Sequence, residues 1–232
     1  MSKQFSQRMI SAQSPYATPV SRRIPDPNTK PETQLMRQLI LASSSPYRRA
    51  LLAKLGIPFD CAAPYIKEEA LPGESAATLA SRLATEKALA LTAQFPGALI
   101  IGSDQVAECD GQLLGKPGNT ENAIAQLRLC AGRKVNFHTG LCLADALSGK
   151  HSTLCETFSV HFRNLSPEEI RRYVELDQPL DCAGSFKAEG LGIALFEKME
   201  GNDPNTLIGL PLIRLIDLLR QHQLDPLSRT SS

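Results

Sequence analysis

The stretch Leu39-Ile-Leu-Ala42, followed directly by Ser43-Ser-Ser-Pro-Tyr-Arg-Arg49, decides the fold of this chain. Four apolar residues in a row are typical of a short strand that is buried on both faces, as in the sheets of α/β proteins. Ser45 and Pro46 then supply an N-cap and a proline at the first helical position, and Gly56 predicts the end of the helix. The pattern therefore predicts a buried strand that runs into a helix.

The start of this helix predicts a site for an anion. The first amides of a helix lack partners inside the helix and carry partial positive charge, so they attract phosphate groups. Ser43, Ser45 and Arg48 add hydroxyl and guanidinium donors at the same place. A capped helix with an exposed basic face is the alternative interpretation of the same residues.

Downstream, strand and helix patterns alternate, which is typical of an α/β domain. Residues 153–162 are rich in β-branched residues and alternate in polarity, which favours an antiparallel neighbour. The expected fold is therefore α/β, with a mixed twisted sheet flanked by helices. The other elements that the sequence predicts are helices at 75–94, 120–130, 166–176 and 211–221, and strands at 59–63, 98–103, 137–144 and 191–197.

Residues 1–35 differ from the rest of the sequence in composition. Five of the 16 prolines fall there, and no helical or alternating period runs between them. The segment contains arginine and serine and few acids, but its prolines prevent the amphipathic helix of a transit peptide. We expect a disordered N-terminal extension over residues 1–35 and one domain over residues 36–232.

The composition of the 232 residues excludes several classes of protein. Apolar residues make up 42% of the chain, which is enough for a sizeable core. A net charge of +1 supplies no broad positive field for long nucleic acid, and no apolar run approaches the roughly 20 residues that cross a bilayer. Six cysteines without a Cys-x-x-Cys pair indicate reduced thiols. We therefore expect a cytoplasmic protein that binds neither polymeric nucleic acid nor a membrane.

A second motif, Leu99-Ile-Ile-Gly-Ser-Asp-Gln-Val106, places an acidic residue at the carboxyl end of an apolar strand. Ligands in open α/β sheets bind at that edge. Asp104 could there accept a proton from water or coordinate a divalent cation, and the alternative is an aspartate that caps a turn. The following Leu114-Gly-Lys-Pro117 predicts a loop in which Lys116 neutralises a phosphate.

Phosphate chemistry needs paired carboxylates to hold a metal, and Glu68, Glu86 and Asp104 are the candidates. Arg82 and Glu86 lie one helical turn apart, however, and such a charge pair is usually a solvated helix face. The four histidines show no metal-ligand spacing. All three carboxylates remain candidates for holding a divalent cation.

A third motif is Cys182-Ala-Gly-Ser-Phe-Lys-Ala-Glu-Gly190. Its small residues around Ser185 and Lys187 suit a loop that folds over a ligand, and Glu189 could accept hydrogen bonds from the N–H groups of a base. A purely structural loop is the alternative. Neither a Gly-x-x-x-x-Gly-Lys-Ser/Thr loop nor a Gly-x-Gly-x-x-Gly motif occurs, which argues against P-loop hydrolases and dinucleotide oxidoreductases.

Taken in order, these motifs resemble those of the Maf family of nucleoside triphosphate pyrophosphatases. A Ser-x-Ser-Pro start followed by two arginines, an Asp after an Ile-Gly strand, Gly-Lys-Pro and a closing Gly-Leu-Pro all occur between residues 38 and 227. The resemblance implies an ITPase-like fold with a nucleotide cleft between two lobes. It also implies a hydrolase that cleaves the bond between the α- and β-phosphates with the help of a divalent cation.

Three segments resemble the subgroup of the family that acts on 7-methyl-GTP: Ser45-Pro-Tyr-Arg-Arg49, Gly102-Ser-Asp-Gln105 and Ser185-Phe-Lys-Ala-Glu-Gly190. That resemblance implies hydrolysis to 7-methyl-GMP and pyrophosphate, which would remove a modified nucleotide from the pool. Asp104 would be the proton acceptor. One departure is Ile66-Lys67-Glu68, where relatives carry Val-Asp-Glu: Lys67 offers no carboxylate to a metal, whereas Glu68 does. With this resemblance, we expect Glu68 and Asp104 to be the ligands of a divalent cation of the Mg, Mn or Co type. The resemblance implies that base specificity is set by Tyr47, Gln105 and Glu189, and that the triphosphate is held by Ser43, Ser45, Arg48, Lys87 and Lys116.

Two other functions fit the same sequence. One is a dTTP/UTP pyrophosphatase of the same family, against which Tyr47, Gln105 and Glu189 argue. The other is a non-catalytic, nucleotide-sensing regulator of cell division. Asp104 argues against a sensor, because a pure binder has no need of a carboxylate beside a polyanion that repels it. The sequence leaves the oligomeric state open, with a homodimer as one option.

Overall fold

A seven-stranded sheet forms the centre of residues 37–228, the part of the chain that the computed structural model describes. The predicted extension, residues 1–35, lies outside the described residues. The strands are β1 (Leu39–Ala42), β2 (Asp60–Ala62), β3 (Leu99–Cys109), β4 (Gln112–Leu114), β5 (Lys134–Asp145), β6 (Lys150–Phe162) and β7 (Phe196–Glu200).

The strands pair in the order β2-β1-β3-β5-β6-β7, and β4 pairs with the far end of β3. The pairs β1–β2 and β1–β3 are parallel, whereas β3–β4, β3–β5, β5–β6 and β6–β7 are antiparallel. The mixed sheet predicted from the sequence is therefore confirmed. Each parallel pair is joined through a helix, and β5 and β6 are joined by a short turn, as these two kinds of pairing require.

Helices cover both faces of the parallel part of the sheet. Leu39 and Leu41 of β1 point into one apolar cluster, and Ile40 and Ala42 point into another on the opposite face. Among residues 37–228, no helix is both long and apolar enough to span a membrane. The helices are α1 (Pro46–Ala53), α2 (Ala76–Leu89), α3 (Thr120–Cys130), α4 (Pro167–Asp177), α5 (Asn205–Ile208) and α6 (Leu212–Arg220).

The structure corrects several predicted bounds. The predicted strand at 191–197 is instead a 3-10 helix over Leu191–Leu195 that leads into β7. Gly192 and Leu195 are its buried residues, and their spacing of three is the 3-10 period rather than the alternation of a strand. The helix predicted to reach residue 94 ends at Leu89, and β3 continues to Cys109 before the unpredicted β4.

Helix α2 lies unusually close to the sheet because two glycines face it. A Cβ at Gly102 would lie 2.0 Å from the carbonyl oxygen of Ala84, and a Cβ at Gly140 would lie 2.1 Å from that of Ala80. Both alanines are fully buried. Small residues on both sides therefore allow the helix backbone to contact β3 and β5 directly.

This contact predicts that alanine is not tolerated at Gly102. The added methyl group would meet backbone atoms that cannot move without shifting α2, so Gly102→Ala should destabilise the protein by about 1–3 kcal/mol or more. Gly115→Ala is the matched control, because a Cβ there meets nothing within 4 Å. Urea unfolding of both variants measures the difference, and equal midpoints would rule out the close contact as a constraint.

Candidate active site

A cleft of about 690 Å³ opens beside the carboxyl end of β1 and the middle of β3. Its volume is within the usual range for small-molecule sites. Leu79 and Leu83 line it from the apolar cluster of α2, and Phe137 and Phe186 line it from the large cluster that includes α3 and α4. The cleft thus lies between two apolar regions, as expected of a cleft between two lobes.

Ten of the site residues predicted from the sequence line this one cleft, whereas Glu86, the third candidate metal ligand, does not. Segments that are distant in sequence meet here because β1 and β3 are neighbours: Ala42 pairs with Gly102, which brings Ser43 close to the residues that follow Gly102. The predicted residues found in the lining are Ser43, Ser45, Tyr47, Arg48, Glu68, Lys87, Asp104, Gln105, Lys116 and Glu189.

The centre of the cleft is a buried ammonium group held by two carboxylates. Lys87, in the last turn of α2, has its Nζ 2.6 Å from Asp104 Oδ1 and 2.7 Å from Glu68 Oε1. Lys87 and Asp104 are both buried, whereas the Glu68 side chain is 54% exposed. The two carboxylates predicted as metal ligands therefore converge on one positive charge.

The environment moves the pKa values of these two acids in opposite directions. Burial raises the pKa of Asp104, and the charges of Lys87 and Arg48 offset that rise only in part. Partial burial also raises the pKa of Glu68, but the hydrogen bond and charge of Lys87, with Lys116 and Arg48 nearby, outweigh it and lower the net pKa. Burial thus makes Asp104 a stronger base than an exposed aspartate, which favours proton abstraction.

The hydroxyl-rich start of α1 differs in detail from the predicted anion site. Ser43 Oγ accepts a hydrogen bond from the amide of Ser45 at 3.1 Å, and Ser45 Oγ accepts one from the amide of Arg48 at 3.4 Å. These two amides are therefore already occupied. Each serine hydroxyl still has its proton to donate, so the donors offered to an anion are hydroxyls as well as amides.

A backbone carbonyl fixes Arg48 in the cleft. Its Nε donates to the carbonyl oxygen of Gly209 at 2.8 Å, and among residues 37–228 no hydrogen bond uses its terminal guanidinium nitrogens. Burial lowers the pKa of Arg48, and the charges of Asp104 and Glu68 oppose that shift. Gly209 belongs to the closing Gly-Leu-Pro motif. The carbonyl oxygen of Gly209 also accepts from Ser103 Oγ at 2.9 Å.

At the other end of the cleft, Gln105 is fully committed as a donor. Its Nε2 donates to the carbonyl oxygens of Thr206 and Leu207 at 2.8 and 3.1 Å and contacts Thr139 Oγ1 at 3.1 Å. Only Oε1 remains for a ligand. Thr139 and Thr206 are not among the residues that the sequence predicts for the site.

Tyr47 faces the segment that carries Glu189. Burial, together with the neighbouring Cys182, Asp181 and Glu189, raises the pKa of Tyr47 to about 12. Tyr47 therefore stays protonated at neutral pH. Asp181 and Cys182 also line the cleft. The sequence signal that could have found them is the third motif, which begins at Cys182 and directly follows Asp181.

The third motif is anchored rather than loose. Ser185 is buried and donates through Oγ to Gln126 Oε1 at 2.6 Å, and Lys187 donates through Nζ to the carbonyl oxygen of Asp177 at 2.6 Å. Phe186 packs edge-on against three phenylalanines. Ser185 and Lys187 thus turn away from the cleft, whereas Glu189 remains in its lining.

The carboxylates present fit a divalent cation that takes only one or two protein ligands. Within residues 37–228, no group of three or more histidine, cysteine, aspartate or glutamate side chains could hold a metal ion. Magnesium is commonly bound by only one or two carboxylates, with water and substrate phosphates completing its shell. Glu68 and Asp104 match that donor set.

Comparison with known proteins places the chain in a family. The Maf-like protein family matches residues 38–222. A Colwellia psychrerythraea protein named 7-methyl-GTP pyrophosphatase is 52% identical over 196 residues, which cover 84% of this chain and 98% of that protein. A Pseudomonas aeruginosa protein of the same name is 56% identical over 184 residues, which cover 79% of this chain and 96% of that protein.

Among solved structures, the Staphylococcus aureus Ham1 protein matches with a TM-score of 0.41 and 14% identity, over 55% of this chain and 73% of that chain. That likeness is too low to support an inference. The family match, by contrast, spans most of the chain and includes every residue that lines the cleft. The chain belongs to the Maf family.

Proposed function

We propose that this protein is a nucleoside triphosphate pyrophosphatase that hydrolyses 7-methyl-GTP to 7-methyl-GMP and pyrophosphate. The observation that carries the proposal is the buried Asp104 carboxylate, which lies in one cleft with the hydroxyl, guanidinium and ammonium groups expected to bind a triphosphate. The names of the two relatives support the choice of substrate.

In the proposed reaction, water attacks the α-phosphorus in line with the departing pyrophosphate. Asp104 takes a proton from that water, and its raised pKa makes it a stronger base than an exposed aspartate. Arg48, Lys87 and Lys116 place positive charge where the phosphoryl oxygens gain negative charge, and the hydroxyls of Ser43 and Ser45 donate to them.

A divalent cation of the Mg, Mn or Co type is part of this proposal, with Glu68 and Asp104 as its protein ligands. Such an ion, when bound, would neutralise charge on the phosphate oxygens. Lys87 already lies between the two carboxylates, so its ammonium keeps them together before a nucleotide binds.

The base end of the cleft supports a methylated guanine. Methylation at N7 gives the ring a positive charge, which the aromatic face of Tyr47 and the carboxylate of Glu189 would both favour. Thymine and uracil carry no such charge. The charge of the methylated base therefore favours 7-methyl-GTP over the alternative substrates dTTP and UTP.

The proposed partner is a small nucleotide, and the proposed location is the cytoplasm. All six cysteines lie within residues 37–228 and are free thiols there, which agrees with a reducing compartment. The net charge of +1 gives no field for polymeric nucleic acid. Sedimentation of the active protein would decide between a monomer and a homodimer.

Asp104→Asn tests the catalytic role. Because asparagine keeps the shape of the side chain but cannot take the proton, pyrophosphate release should fall by about 10²- to 10⁴-fold while the nucleotide still binds. Release is measured on the full chain with a divalent ion, and binding by calorimetry. Asp110→Asn, in the exposed turn after β3, is the matched control.

Two results would count against this role. Full activity in Asp104→Asn would exclude Asp104 as the base. Negligible release in both the wild type and the variant, with nucleotide still bound, would favour the sensor of the division machinery instead.

Substrate choice is tested at Tyr47 and Glu189. Glu189→Ala removes the carboxylate, and Tyr47→Arg replaces the aromatic ring with a positive charge that repels the methylated base. Each variant should lower the ratio of kcat/KM for 7-methyl-GTP over that for dTTP and UTP. A reduction of roughly tenfold or more is expected for the loss of one charge-specific contact. Glu197→Ala, on exposed β7, should leave the ratio unchanged, and an unchanged ratio in all three variants would refute the assignment.

A further inference from the structure

The segment that carries Glu68 has no regular secondary structure. It runs from residue 63 to residue 75, between β2 and α2, and the Glu68 side chain is half exposed. A charged side chain on an irregular segment samples many positions unless its backbone is held. The 2.7 Å contact between Glu68 and Lys87 therefore requires an anchor for this segment.

Arg82 supplies such an anchor from α2. Its guanidinium forms a two-pronged contact with the Glu74 carboxylate, with Nε and Nη2 each 2.8 Å from an oxygen. Nη1 donates to Glu86 at 3.0 Å, and Nη2 also donates to the carbonyl oxygen of Glu69 at 2.9 Å. The sequence predicts Arg82 and Glu86 as a charge pair on a solvated helix face. In the structure Arg82 also binds Glu74 and the carbonyl oxygen of Glu69.

Two contacts of this network fix the backbone on the C-terminal side of Glu68. The Glu69 carbonyl is the acceptor next to Glu68, and the Glu74 carboxylate, which is only 5% exposed, also accepts from the amide of Leu71 at 3.0 Å. On the N-terminal side, Ile66 packs against the apolar cluster of α2. Glu68 is therefore flanked by an apolar anchor and a polar one.

We propose that Arg82 is a positioning residue that holds residues 63–75 so that the Glu68 carboxylate meets Lys87 and Asp104. The inference rests on the proposed function, because it assigns Arg82 to the same site. Lysine could not replace it, since a single ammonium cannot bond both oxygens of Glu74 and the Glu69 carbonyl in one plane.

A double-mutant cycle tests whether Arg82 acts through Glu68. Arg82→Gln should lower kcat/KM by about tenfold or more in the full-length protein, but by less than about threefold when Glu68→Gln is already present. Independent losses that multiply would overturn the proposal. Arg171→Gln, which breaks a surface pair with Glu168 on α4, is the matched control and should leave kcat/KM unchanged.

Hydrogen exchange provides a readout that does not depend on turnover. In the protein without nucleotide or metal, the Leu71 amide should exchange at least tenfold faster in Arg82→Gln than in the wild type, with no change in the amides of β5. Exchange at Leu71 as slow as in the wild type would overturn the proposal. If the wild type released no pyrophosphate, the proposed function would fail, whereas this measurement would still test the anchor.

Two milder variants keep the test decisive if Arg82→Gln does not fold. Arg82→Lys retains the charge without the planar fork, and Glu74→Gln removes the charge from the other side of the contact. Both should speed exchange at Leu71 and lower kcat/KM, with the effect on kcat/KM again lost in the Glu68→Gln background. Wild-type exchange and activity in both variants would overturn the proposal.

Discussion

One buried contact, the ammonium of Lys87 against the carboxylates of Asp104 and Glu68, determines how the rest of this structure is arranged. Removing an ammonium group from water is unfavourable unless opposite charge compensates it. Compensation is possible here because α2 lies directly on Gly102 and Gly140, which brings its last turn within reach of β3. The small residues of the sheet and the charges of the cleft therefore belong to one constraint, since a bulkier sheet would separate the charges.

The carbonyl oxygen of Gly209 links three segments that are far apart in sequence. It accepts from Arg48 at the start of α1 and from Ser103 in β3, while the residue itself has a φ of 111° that favours glycine. This one carbonyl oxygen orients the Arg48 guanidinium and holds it beside β3. The Gly-Leu-Pro motif at the end of the domain is thus an architectural part of the phosphate end, although it supplies no charged group.

The sequence predicted the parts of the protein that depend on local pattern. The apolar run before Ser43 and the proline at the first turn of α1 were enough to place both elements. Asp104 stood out because it follows an apolar run, although it lies in the middle of β3 rather than at the end of the strand. Elements that depend on tertiary contacts were not predictable in this way. The 3-10 helix before β7 forms because residues three apart are buried by distant neighbours. Lys187 turns away because the carbonyl oxygen of Asp177, at the end of α4, accepts from it.

Gln105 contributes to selectivity because its donor group is not available to a ligand. With both of its amide hydrogens given to backbone and hydroxyl oxygens of its own fold, it meets any guest only as an acceptor. The carboxylate of Glu189 is an acceptor as well. An aromatic heterocycle that binds at this end of the cleft must therefore donate the hydrogen bonds itself. A heterocycle whose edge carries only carbonyl oxygens would place its lone pairs against those of Gln105 and Glu189.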